Sequence, residues 1–243
     1  YYHRISIEDI NSFKHLILPI TVLIGPVILV ATQPDLGTSI LIAAGGLVVA
    51  WLAGVRAKFF IYSGIATLAL LPVAISLLKP YQKSRILTFL NPERDPLGAG
   101  YQIIQSKIAI GSGGIFGKGF LNGSQSYLDY LPEKHTDFIY TLFSEEFGFF
   151  GSLFILLLYA LIIYRIIRIG GLTRSNFGKL YCYGFATAFF IYVVVNMMMV
   201  LGLLPIVGSP LPIMSYGGSS MMAIMLGLGI VMSCKIYKDV PVN

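Results

Sequence analysis

Six stretches of this chain, residues 16–32, 36–55, 59–78, 148–164, 180–204 and 219–234, contain no charged side chain at all. Crossing a bilayer core of about 30 Å takes roughly 20 apolar residues in helical conformation. The stretches therefore predict membrane-spanning helices. Prolines 19, 26 and 72 inside them are compatible with that, because neighbouring helices satisfy the carbonyls a proline frees. Composition agrees: 56% of the 243 residues are hydrophobic and 12% are charged, against about 25% charged in a soluble globule. The expected fold class is all-α, a polytopic transmembrane helix bundle, taken as one integral membrane domain over residues 1–243.

Orientation follows from Lys and Arg in short loops, which resist translocation. Arg4, Lys14, Arg56, Lys58, Arg165, Arg168, Arg174, Lys179, Lys235 and Lys238 fall on one side, and the opposite short loops 33–35 and 202–218 carry none. Both ends of the chain are thus expected in the cytoplasm of a multi-pass membrane protein. The long segment 79–147 faces outward as a large, partly helical extracytoplasmic loop. Within it residues 101–110 have an apolar face at helical spacing, read either as an interfacial helix or as a packing helix. The first fifteen residues are polar and lack a signal-peptide pattern. The chain reads as the latter part of something longer.

Several function classes drop out. Two cysteines and the scattered His3, His15 and His135 offer no disulfide framework and no zinc spacing. The net charge of +6 is spread between apolar blocks rather than gathered on a face, so no nucleic-acid partner is expected. The glycine-rich run 111–119 lacks the P-loop spacing, since Ser112 and Gly119 stand where Gly and Ser or Thr are needed, and no nucleotide is expected. That run reads as a flexible loop, or as a phosphate or sugar contact through Lys118.

Four acids, Glu133, Asp137, Glu145 and Glu146, crowd the outer end of the fourth span. A helix starting near Thr136 would place Asp137, Tyr140, Thr141 and Ser144 on one face. That polar stripe around a carboxylate suits a general base, whereas a plain helix start with Thr136 as N-cap explains the same residues without function. Asp35, in QPDLGT, reads as a helix cap with a supporting role in a site as the alternative. Segment 204–220, rich in Pro, Gly and Ser, survives at membrane depth only if buried in protein or lining a wet cavity. Ser219 or Ser220 would cap the last helix, and Gly217 and Gly218 would open backbone donors to an anionic headgroup. Asn196, alone among apolar residues, reads as an interhelical hydrogen bond, and Cys182 and Cys234 as packing.

QPDLGT (33–38), FLNPERDPLGAGYQIIQSKIAIGSGGIFGKG (89–119), GSQSYLDYLPEKHTDFIYTLFSEEFG (123–148) and PLPIMSYGGSS (210–220) follow in order along nearly the whole chain. Together they resemble the SEDS family of bacterial cell-wall proteins, its elongation branch above all. The resemblance implies a ten-helix peptidoglycan glycosyltransferase that polymerises lipid II at the outer face of the cytoplasmic membrane during cell elongation and rod-shape maintenance. This chain would hold its last six helices. By that likeness the catalytic residue, a general base, falls on Asp137. Lys118, Glu133, His135, Thr136, Thr141, Glu145, Glu146, Asp35, Ser215, Tyr216, Gly217, Gly218 and Ser219 become candidates for binding or supporting substrate. A divalent cation, Mg or Mn, is admitted, with Asp137 and Glu145 as candidate ligands. Implied partners are lipid II, the nascent glycan strand, a class B penicillin-binding transpeptidase, other elongation-complex membrane proteins and membrane lipid. Two competing readings are a lipid II flippase or transporter, which charge-free spans disfavour, and a noncatalytic scaffold, in which Asp137 is dispensable.

Overall fold

The structure, a computed structural model, describes residues 1–5, 9–33, 35–95, 98–124, 133 and 135–240. Pro34, expected in the first turn of a helix, and residues 125–132 and 134 of the outer motif lie outside the described residues. The helices in chain order are α1 (Phe13–Thr32), α2 (Leu36–Leu52), α3 (Ala57–Leu77), α4 (Pro80–Leu90), α5 (Ala99–Ser112), α6 (Ile139–Leu172), α7 (Asn176–Val200) and α8 (Gly218–Ile236). Among the described residues there is no strand.

Among the described residues four stretches are long and apolar enough to cross a membrane: Lys14–Thr32, Ile139–Leu172, Asn176–Val200 and Gly218–Ile236. Leu36–Leu52 and Ala57–Val73 are shorter apolar helices. These helices turn large apolar side chains outward, Val22 and Leu29 on α1 and Leu68 on α3 each being about two-thirds exposed. Burial in water-soluble proteins follows the opposite rule. Lipid is the solvent that makes such a surface stable, and the protein is a multi-pass membrane protein.

The chain divides into two compact units. The first comprises Tyr1–Lys83, Ile166–Ala188 and Val231–Asn243. In it α1 packs along α2, and Ile10, Leu16 and Val55 form a small buried cluster with Phe60 against it. Asp35 caps α2: its Oδ1 accepts from the Thr38 backbone N–H at 3.0 Å and its Oδ2 from the Thr38 hydroxyl at 2.6 Å. That satisfies one of the orphan donors of a helix start. Cys182 and Cys234 are free thiols.

The second unit comprises Ser84–Arg165 and Phe189–Ile230. Here α5 buries Gly100, Ile103, Ser106 and Ala109, every third residue, so residues 101–110 belong to a packing helix. Ser106, fully buried, donates to the Val200 carbonyl at 2.6 Å and shares a hydrogen bond with the Thr141 hydroxyl at 2.8 Å. A buried hydroxyl on a helix costs little when both its capacities are used. The start of α6, the segments 113–124 and 201–217, and the adjoining ends of α7 and α8 in this unit carry the candidate site.

Candidate active site

Helix α6 begins at Ile139, later than the start expected near Thr136. The preceding turn explains the delay. The Thr136 and Phe138 N–H groups both donate to the Glu133 carbonyl at 3.2 Å, and the Thr136 hydroxyl donates to Glu133 Oε2 at 2.9 Å. Thr136 therefore closes the turn instead of capping the helix. Its three successive carbonyls then face donors from elsewhere in the chain. His135 O accepts from the Tyr216 N–H at 2.9 Å, Thr136 O from the Ser215 hydroxyl at 2.6 Å, and Asp137 O from Asn196 Nδ2 at 2.8 Å. With those acceptors taken, the Thr141 N–H reaches only back to Phe138 O at 3.0 Å. Asp137 is thus half-buried on a turn whose backbone is tied at every step. Of the expected polar stripe, Tyr140, Thr141 and Ser144 are buried within the unit rather than lying beside Asp137 on an open face.

Segment 201–217 is held to the same turn. Ser215, buried, orients its hydroxyl by accepting from the Leu211 N–H at 2.6 Å while donating to Thr136. Tyr159 donates to the Pro212 carbonyl at 2.6 Å. Gly208 lies against Asp137 with φ +70°, and a side-chain carbon there would sit 3.5 Å from Asp137 Oδ2. His135, Ser215, Tyr216, Gly217 and Gly218 line one open cavity of about 550 Å³ with Ile139, Ile213, Met214 and Met221. Five of the expected site residues are therefore gathered around one apolar-walled opening that starts two positions from Asp137. Helix α8 begins at Gly218, so Ser219 and Ser220 lie inside its first turn rather than at its cap.

Glu145 has a different setting. It is completely buried, and its Oε1 accepts from Lys118 Nζ at 2.7 Å and from the Ser124 hydroxyl at 3.0 Å. Lys118 also donates to Ser124 at 2.8 Å. A buried carboxylate needs such a partner to stay charged. Lys118 thereby places two of its three donors on Glu145 and Ser124.

The loop that brings Lys118 there is spliced into α6. Gly148 has φ 64° and ψ −158°, a conformation essentially confined to glycine, and it breaks the helix ladder. The Glu145 and Glu146 carbonyls would normally receive the amides of residues 149 and 150. They accept instead from the Lys118 and Gly119 N–H groups, each at 3.0 Å. The released Phe149 and Phe150 N–H groups donate to Gly114 O at 2.9 Å and Ile115 O at 3.2 Å. The two ladder bonds opened between these groups are thus replaced on both sides. The run 111–119, expected as a flexible loop, is anchored for this reason.

Glu146 is partly buried and contributes its carbonyl to the splice, and Glu133 is exposed. Among the described residues no three His, Cys, Asp or Glu side chains gather to hold a metal ion. With Glu145 bound to Lys118, the expected pair of ligands Asp137 and Glu145 does not fit a divalent site.

Sequence reading took Asn196 for an interhelical hydrogen bond and passed over Gly208. Asn196, fully buried, donates through Nδ2 to Asp137 O and to Ser209 O at 2.7 Å, so both its bonds go to non-helical backbone rather than across two helices. Two carbonyl partners also fix which way the amide faces. The signal was a lone amide in an apolar helix, which demands strong acceptors wherever they lie.

Comparison with known proteins gives this geometry relatives. A family model described as cell cycle protein, FtsW/RodA/SpoVE, matches residues 3–239. Peptidoglycan glycosyltransferase MrdB of Escherichia coli strain K12 is 47% identical over 228 residues, 93% of this chain and 62% of that protein. A solved structure of a peptidoglycan synthase complex, describing the coordination of polymerization and crosslinking, contains a chain 35% identical to this one. The two superpose with a TM-score of 0.75, over 94% of this chain and 63% of that one. Thermus thermophilus rod shape determining protein RodA is 26% identical with a TM-score of 0.61, over 96% of this chain and 61% of that one. The chain spans somewhat less than two thirds of the length of these relatives. Matched by one family model along almost its whole length, it belongs to the FtsW/RodA/SpoVE family of cell cycle proteins.

Proposed function

We propose that the protein is a peptidoglycan glycosyltransferase that polymerises lipid II at the outer face of the cytoplasmic membrane during cell elongation, with Asp137 as general base. The observation that carries this reading is the Asp137 turn, whose carbonyls at 135, 136 and 137 are each tied to another element beside the cavity lined by His135 and residues 215–218. A base must be aligned before it is useful, and fixed backbone supplies the alignment. The relative named peptidoglycan glycosyltransferase supports the reaction class.

In the proposed step Asp137 takes the proton from the 4-hydroxyl of the acceptor's terminal N-acetylglucosamine. That oxygen forms its bond to the anomeric carbon of the donor's N-acetylmuramic acid as the bond to polyprenyl pyrophosphate breaks, with inversion. The pyrophosphate leaves as an anion and needs no protein acid, unlike the leaving group in glycoside hydrolysis. A divalent cation, Mg or Mn, would supply a counter-ion for that pyrophosphate. Apolar walls of Ile139, Ile213, Met214 and Met221 suit a substrate whose tail stays in lipid. The Lys and Arg distribution supports cytoplasmic chain ends and an extracytoplasmic Asp137. The likeness to a complex that couples polymerization to crosslinking supports a class B penicillin-binding transpeptidase as partner.

The test is lipid II polymerisation by the full-length protein and by Asp137→Asn, both reconstituted in lipid with the transpeptidase. Glycan strands from the native protein alone are expected. Strands from both at equal rate overturn the base assignment, and a native protein that moves lipid II across the bilayer without polymerising it is a flippase.

A further inference from the structure

We infer that Asn196 is a positioning residue for Asp137, setting the carboxylate against segment 208–209 through two backbone carbonyls. This rests on the reading of Asp137 as general base. Asn196 Nδ2 donates to Asp137 O at 2.8 Å and to Ser209 O at 2.7 Å. The residue before Ser209 is Gly208, whose Cα faces Asp137 Oδ2 closely enough that an added side-chain carbon would stand 3.5 Å from it. One amide therefore fixes both the main chain that bears the carboxylate and the main chain that the carboxylate faces.

Stability alone does not account for this arrangement. Asn196 Oδ1 and Ser209 Oγ are buried without a hydrogen-bond partner among the described residues. A buried amide left half-satisfied carries a cost of its own, while an apolar residue in its place would orphan the two carbonyls it pairs. What an apolar residue cannot do is hold two carbonyls at fixed separation. Tyr216 N–H and Ser215 Oγ tie the neighbouring carbonyls 135 and 136. The Asn196 bond acts on the carbonyl of Asp137 itself and reaches the Gly208–Ser209 segment at the same time. Misplacement of a catalytic group by about 1 Å is enough to cost roughly 100-fold in rate.

The test uses the full-length protein reconstituted in lipid and compares native, Asn196→Leu and Asn196→Gln, with Asp137→Asn alongside. Turnover and KM for lipid II are measured across pH, with the folded fraction from thermal unfolding. Asn196→Leu keeps the branched shape at a somewhat larger volume and removes both donors. It is expected to lower kcat by roughly 10- to 100-fold per folded molecule, with KM changed by less than about threefold. The acid limb of its kcat profile is expected to move by about half a pH unit or more, because that limb reports the base. Asn196→Gln keeps the donors on a longer arm and is expected to recover part of kcat; it supplies the readout if the leucine variant does not fold. A fall in activity that only follows the folded fraction, with the acid limb unmoved in both variants, overturns the inference and leaves Asn196 structural. An Asp137→Asn protein as active as the native one overturns the base reading instead, and is seen independently of either Asn196 variant.

Discussion

Asp137 and Glu145 stand eight residues apart on one stretch of chain, and their carboxylates are housed in different ways. Glu145 is fully buried and bonded to Lys118 and Ser124, so its charge is spent on joining the 113–124 segment to α6. Asp137 is half-buried, and the bonds to Tyr216, Ser215 and Asn196 fall on the main chain around it. One carboxylate holds the fold together, while the backbone holds the other in place. Proximity in sequence and shared acidity do not distinguish them; the identity of what each bonds to does.

The largest expected effect breaks the comparison at its functional end. Asp137→Asn should lower polymerisation per folded molecule by roughly 10³-fold, in the range a general base supplies. Glu145→Gln losing as much turnover per folded molecule would erase the distinction. Next comes Gly148→Ala, which forces a side chain into a conformation that only glycine tolerates and against the Gly117 amide. A loss of about 3 kcal/mol is expected by denaturant unfolding in micelles. Glu145→Ala should cost about 2 kcal/mol in the same assay, less than the fully buried limit because Lys118 is 29% exposed. Adding Lys118→Met should return part of that loss, and a strictly additive pair would argue that the two side chains are not coupled. The smallest effect belongs to Thr141→Val, which removes the Ser106 bond for about 1 kcal/mol and leaves the Asp137 turn tied.

The membrane helices were legible because charge is absent over fixed lengths, a property a single chain displays openly. Four of the six expected spans lie on described helices long and apolar enough to cross a membrane, α1, α6, α7 and α8, and the other two fall on the shorter apolar helices α2 and α3; α2 ends at Leu52 and α7 at Val200, earlier than the apolar runs suggest. The Asp35 cap was also legible, because donor and acceptor are three residues apart. The fate of Glu145 was not, since its partner comes from 27 residues earlier and composition offers no way to pair them. The break at Gly148 was hidden because a glycine in an apolar run is ordinary in membrane helices. Asn196 announced that it needed acceptors but not which ones, since non-helical carbonyls leave no mark in sequence. Asp137 was singled out by motif resemblance as the proposed base; the ties that hold its main chain required the fold.

The exchange of bonds at Gly148 joins two segments about thirty residues apart into one cooperative unit. The amides of Phe149 and Phe150 find their acceptors only when residues 114 and 115 are seated, and those of Lys118 and Gly119 only when the helix ladder stands open at 145 and 146. Neither half can fray alone. In hydrogen exchange these four amides should share one opening free energy, and the outer end of α6 should be as slow to exchange as the loop that is laced into it.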